Sequence, residues 1–247
     1  MIGTITWDGV RSDRLGVFVE TYPTYNRPAR KKDTYQIPGR NGDLVMMQDA
    51  WENVRQEYNI IIGDGSVYSS QRDLDGISQW LLSPSGYCEL YDDFDKDHYR
   101  LAYYAGGFEA VAIARGEAAR VKIAFECQPQ RYLFTGRAQT VRTASPSSIY
   151  NPTLYKSRPL LFIKFADVDG ARTVTVAGTT FTVSADAPSE IYIDCESMDC
   201  YTAGGSNVNS LVSSSTSEFA TLNPGSNVIS FGLGVESVWI TPRWFDI

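Results

Sequence analysis

Ala118-Ala119-Arg120-Val121-Lys122-Ile123-Ala124-Phe125-Glu126-Cys127-Gln128 decides the fold class. Val121, Ile123, Phe125 and Cys127 alternate with Lys122, Ala124 and Glu126, a period of two with one apolar face. An amphipathic helix would space its apolar positions three and four apart. The run before it, Phe108 to Ala114, is joined to it through Arg115-Gly116-Glu117, so the two read as a β-hairpin, and a long one.

The strand reading spreads towards the N-terminus. Ile2 to Trp7 alternates, Leu15 to Val19 follows a polar turn, and Tyr87–Tyr91 and Tyr99–Tyr104 are rich in strand formers. Val54 to Ile62 ends in three isoleucines, which suggests burial on both faces, and stops at Gly63-Asp64-Gly65. One segment breaks the pattern. From Ser70 to Leu82, Leu74, Ile77 and Leu81 fall on one helical stripe. Asp73 and Asp75 near its start suit the helix dipole, Pro84 and Gly86 end it, and the stripe should pack on a sheet.

After Tyr132 the composition changes. Thr135 to Pro152 is rich in Ser, Thr and Pro and reads as a linker, giving an N-terminal domain at 1–134, a linker at 135–152 and a C-terminal domain at 153–247. The last part is strand and turn throughout. Pro159–Phe165, Arg172–Val176, Thr179–Val183, Glu190–Asp194, Asn227–Phe231 and Ser237–Thr241 are punctuated by Asp169-Gly170, Ala177-Gly178, Gly204–Asn207 and Asn223-Pro224-Gly225. Short strands at such spacing indicate a β-sandwich.

Charge and chemistry exclude more than they assign. A net charge of −7 disfavours binding the phosphate backbone, so no direct nucleic-acid recognition is expected. The first residues carry no basic start and long apolar run, and no stretch reaches the length of a membrane span, so a soluble chain made in the cytoplasm is expected. His98, the single histidine, lies in the acidic loop Asp92–His98. There Asp93, Asp95 and Asp97 imitate the start of a calcium loop, but His98 and Tyr104 stand where Gly and Glu are needed. Asp194 and Glu196 could resemble a glycosidase pair. Cys88, Cys127, Cys195 and Cys200 lack metal-ligand spacing and read as free thiols, although Cys195 and Cys200 could pair across a hairpin. Tyr192, Tyr201 and Trp239 could stack on sugars or sit in the core. No cofactor and no catalytic centre is expected. A basic cluster, Arg27, Arg30, Lys31 and Lys32, precedes Ile37–Leu44 and is either a solvated loop or a partner for an acidic neighbour.

Several segments resemble the distal tail (Dit) family of siphophages: Ile37-Pro38-Gly39-Arg40-Asn41-Gly42-Asp43-Leu44, Phe125–Tyr132, Ile191-Tyr192-Ile193-Asp194-Cys195-Glu196, Leu222–Ile229 and Thr241-Pro242-Arg243-Trp244. Their order spans nearly the whole chain, with Gly204–Phe219 matching least. The resemblance implies a mainly β protein. Its N-terminal domain would be a β-sandwich or barrel with one helix and an extended hairpin, and its C-terminal domain a galectin-like sandwich. It implies a non-enzymatic structural role in the virion, at the distal end of the tail. A homo-hexameric ring would there join the tail tube ring to the tail-associated lysin or hub protein, and in some phages to a receptor-binding protein; a carbohydrate-binding adhesion module is the alternative. A long hairpin gains stability by lying on a neighbour, which makes Phe108, Val111, Ile113, Val121 and Ile123 candidate contact residues beside the basic Arg30, Lys31, Lys32 and Arg40.

Overall fold

The computed structural model describes residues 2–62, 71–104, 106–113, 118–166 and 170–247, and the side chains at 71–73, 112, 113 and 118 fall outside that description. The Gly63-Asp64-Gly65 stop, Ser70, the Arg115-Gly116-Glu117 turn and Asp169 also lie outside the described residues. The chain divides into two compact units, residues 1–131 with Ile247, and residues 132–246.

The first unit contains β1 (Ile5–Trp7), β2 (Val10–Arg11), β3 (Val17–Val19), β4 (Arg30–Tyr35), β5 (Leu44–Trp51), β6 (Val54–Ile62), α1 (Gln71–Leu82), β7 (Cys88–Asp92), β8 (His98–Tyr103), β9 (Ala110–Ile113) and the start of β10 (Ala118–Leu133). The main sheet runs β2-β1-β7-β8-β10-β6-β3. The strand that decided the fold class is therefore interior. β10 pairs with β6 from Ala119↔Ile62 to Cys127↔Val54, and Val121, Ile123, Phe125 and Cys127 are almost wholly buried. Phe125 packs on Trp7 with ring centroids 4.9 Å apart. Among the described residues α1 is the one α-helix, and it lays Ile77, Trp80 and Leu81 on this core with Leu74 partly buried beside them.

Two expectations for this unit need correction. β9 is only four residues long and pairs with the first four of β10, so among the described residues the paired part of the Phe108–Gln128 hairpin is short rather than long. The apolar alternation of β10 is spent on its own core. The three isoleucines of β6 do not mark burial on both faces either. The strand alternates, with Ile60 and Ile62 buried and Ile61 half-exposed between Phe18 and Arg120.

The second unit contains β11 (Thr140–Arg142), β12 (Ser147–Asn151), β13 (Leu160–Phe165), β14 (Arg172–Val176), β15 (Thr179–Val183), β16 (Glu190–Asp194), β17 (Asp199–Tyr201), β18 (Val212–Ser214), β19 (Gly225–Phe231), β20 (Val235–Thr241) and β21 (Phe245–Asp246). Two five-stranded sheets, β11-β20-β13-β16-β17 and β12-β19-β14-β15-β18, share one core. Leu161, Ile163, Ile193 and Ile240 come from the first sheet and Val174, Val176, Phe181 and Ile229 from the second. This is a β-sandwich. The expected linker at 135–152 is part of it: β11 pairs with β20 and β12 with β19. Ile149 enters the core, and buried Asn151 donates from Nδ2 to the carbonyls of Tyr155 and Leu222. Small hydroxylated residues suit an edge strand with a wet face as well as they suit a linker, and composition alone does not separate the two.

Candidate assembly surface

β4 and β5 pair with each other in a separate two-stranded sheet. Every residue from 29 to 49 is exposed. Local chemistry explains why this arm forms. At its tip Pro38 fixes φ, Gly39 takes a φ of +81°, and the Arg40 N–H donates to the Ile37 carbonyl at 3.1 Å, a type II turn. Gly42 supplies a second positive φ. At the base Arg30 Nε donates to the Gln48 carbonyl at 2.9 Å, and the Glu52 N–H donates to the Ala29 carbonyl at 2.9 Å. Gln48 Nε2 donates to Asp33 at 2.7 Å across the strands.

The register sorts the side chains. Lys32 lies opposite Met47, Asp33 opposite Met46, Thr34 opposite Val45 and Tyr35 opposite Leu44. Opposed residues share a face and successive residues alternate. One face therefore carries Asp33, Tyr35, Leu44 and Met46; the other carries Lys32, Thr34, Val45 and Met47. Tyr35, Ile37, Leu44, Val45, Met46 and Met47 are all exposed large hydrophobics, with Met46 at 55% and Met47 at 56%. Isolated surface hydrophobics need no explanation, but six on one thin ribbon are a candidate contact surface.

The sequence candidates separate accordingly. Arg30, Lys31 and Lys32 stand on β4 and Arg40 at the tip, all exposed. Val121 and Ile123 lie in the core of their own unit and are not contact residues. Phe108 packs against that core, Val111 is exposed at 58%, and Ile113 pairs through its backbone with Ala118. The apolar arm residues were missed, though Pro38-Gly39 and Asn41-Gly42 between Lys31–Tyr35 and Leu44–Met47 are a hairpin signal.

The remaining candidates are occupied by the chain itself. Asp92 accepts from Tyr25 Oη at 2.7 Å, Tyr58 Oη at 2.8 Å and the N–H groups of Phe94 and Asp95. Burial first, and then the Asp92 carboxylate, push both tyrosine hydroxyls well above their usual range. Asp93 caps Thr4 through its N–H and hydroxyl. Asp95 meets His98 Nδ1 at 2.8 Å and Arg131 at 3.3 Å; the His98 bond, with help from Arg131, holds its carboxyl below the usual range. Among the described residues no group of three or more His, Cys, Asp and Glu is placed to hold a metal.

Asp194 and Glu196 converge on Arg243, which grips Asp194 with two contacts of 2.7 and 2.9 Å and reaches Glu196 at 3.3 Å. Burial works to raise the Asp194 carboxyl, but the Arg243 hydrogen bonds and charge outweigh it and hold it low. Cys195 and Cys200 are free buried thiols, each pushed up to about 12 by burial. Tyr192 is stacked between Phe162 at 4.7 Å and Tyr201 at 5.3 Å, so its ring faces are turned to other rings rather than offered to a sugar.

The crystal structure of the SPP1 Dit protein, described as a paradigm of hub adsorption apparatus in phages infecting Gram-positive hosts, superposes with a TM-score of 0.71 over 96% of this chain and 98% of its own. This chain has the Dit fold. Sequence identity is only 14%, so the Dit fold is shared through pattern and not through residue identity. Chains of the phage P2 baseplate in its activated conformation, with Ca and with Sr, also superpose on this chain, at TM-scores of 0.53 and 0.51, with 10% identity and 97% of both chains covered in each case. No protein-family model and no curated protein matches the sequence.

Proposed function

We propose that this chain is a non-enzymatic structural subunit of a phage tail tip. It assembles with copies of itself into a hexameric ring at the distal end of the tail, joining the tail tube ring to the hub or tail-associated lysin and to receptor-binding proteins. The observation that carries the reading is the arm: a β-ribbon with six large apolar side chains exposed, on a chain whose fold runs end to end along a phage hub protein. A two-stranded ribbon is marginal alone in water, and a head-to-tail ring covers each such element with the next subunit. The acidic charge fits a wall along which DNA slides without adhering. The test is the mass of the purified chain by light scattering. A particle six times the 27.5 kDa monomer is expected, and a clean monomer at high concentration overturns the reading.

A further inference from the structure

The two faces of the arm are equally in need of cover. Met46 and Met47 are chain neighbours that point to opposite faces, and their exposures of 55% and 56% are nearly the same. Tyr35 and Leu44 add apolar surface to the Met46 face, at 54% and 40%, and Val45 to the Met47 face, at 50%. A ribbon that lay on one neighbour would bury one of these sets and leave the other in water.

We infer that the arm is clamped on both faces by copies of this chain, so that each arm enters between two bodies instead of resting on one. The inference depends on the self-assembly proposed above. Size supports it. Strands of this length, at about 3.3 Å per residue and about 4.8 Å apart, present roughly 250 Å² per face. A stable specific contact takes about 800 Å² from each partner, so one face supplies only about a third of that and both together about two-thirds, the rest coming from the bodies themselves.

Charge identifies the occupant. Residues 30–51 hold four cations, Arg30, Lys31, Lys32 and Arg40, against three anions, Asp33, Asp43 and Asp49, a net +1. The chain carries −7, which leaves −8 on the remainder of each copy. An arm of opposite sign to the body it came from fits the bodies of other copies.

Two substitutions separate the faces. Met46→Lys places a cation opposite Asp33, and Met47→Glu places an anion opposite Lys32, so each new charge is matched across the ribbon and the hairpin is kept. Sedimentation velocity at fixed concentration is the readout, with circular dichroism to confirm the fold. Should either variant unfold, Met46→Ser or Met47→Thr replaces it with the same expectation. Both variants should weaken assembly tenfold or more. If one assembles like wild type while the other does not, the arm rests on a single body and the clamp is wrong while the ring stands. If wild type itself stays monomeric, the ring and the clamp fall together.

Discussion

Excising the arm should weaken assembly by a factor of about 100–1,000, enough to leave monomers at micromolar concentration, and keep the monomer folded. The change replaces residues 31–49 with a short Gly-Ser turn, which leaves the Arg30 and Trp51 end of the ladder in place. Fully burying a large apolar side chain is worth about 1.5–3 kcal/mol, so six that are already about half covered offer roughly 5–9 kcal/mol. Ordering the ribbon and its partners takes back about half of that. The remaining 3–4 kcal/mol corresponds to association weakened by a factor of about 100–1,000. The same residues touch no core, so the thermal midpoint of the excised chain should match that of the monomeric parent within about 1 kcal/mol of stability. Sedimentation velocity and a thermal melt on the same sample report both halves of the prediction. A ring that survives excision, or a monomer that no longer folds, refutes the reasoning.

Other substitutions test the fold and its charges. Phe125→Ala removes the ring shared by Trp7, Tyr58 and Tyr104 and should cost about 3–5 kcal/mol in urea unfolding. Arg243→Met strips the partner from Asp194 and should cost about 1–2 kcal/mol at pH 7 after allowance for solvent screening. The sign with pH follows from the lowered Asp194 carboxyl: its stabilisation is present above the unfolded value of about 4 and is lost as pH falls through the lower folded value, so the gap between variant and parent should narrow progressively as pH falls below about 4. A gap that does not narrow at all on acidification rules out the ion pair as its cause. Ala177 sits at a φ of +49° before Gly178 in the turn between β14 and β15; Ala177→Asn should raise stability by about 0.5–1 kcal/mol, read as an upward shift in melting temperature.

Much of this architecture could be read from residue patterns. Strict alternation at Val121–Cys127 exposed β10, and the stripe Leu74, Ile77, Leu81 exposed α1, because one buried face leaves a period in the sequence. Arg172–Val176, Thr179–Val183 and Glu190–Asp194 were bounded as the structure has them, since turns with Gly or Asp end them sharply. β11 and β12 were not legible. Ser147, Ser148 and Thr140 carry too little apolar signal, and their pairing to β20 and β19 is fixed some eighty to one hundred residues away. The arm failed for the opposite reason. Leu44, Val45, Met46 and Met47 form an unbroken apolar run, which sequence logic assigns to a core, whereas here it is covered from outside the chain if assembly occurs as proposed. The basic Arg30, Lys31, Lys32 and Arg40 stand on this same ribbon, next to an apolar run whose exposure no local pattern announces.

Negative-stain imaging of the purified wild-type chain is the most direct measurement of self-assembly. Class averages should show closed rings with six repeats around an open centre. Single particles of monomer size at concentrations of tens of micromolar, with the arm intact by mass spectrometry, would contradict it.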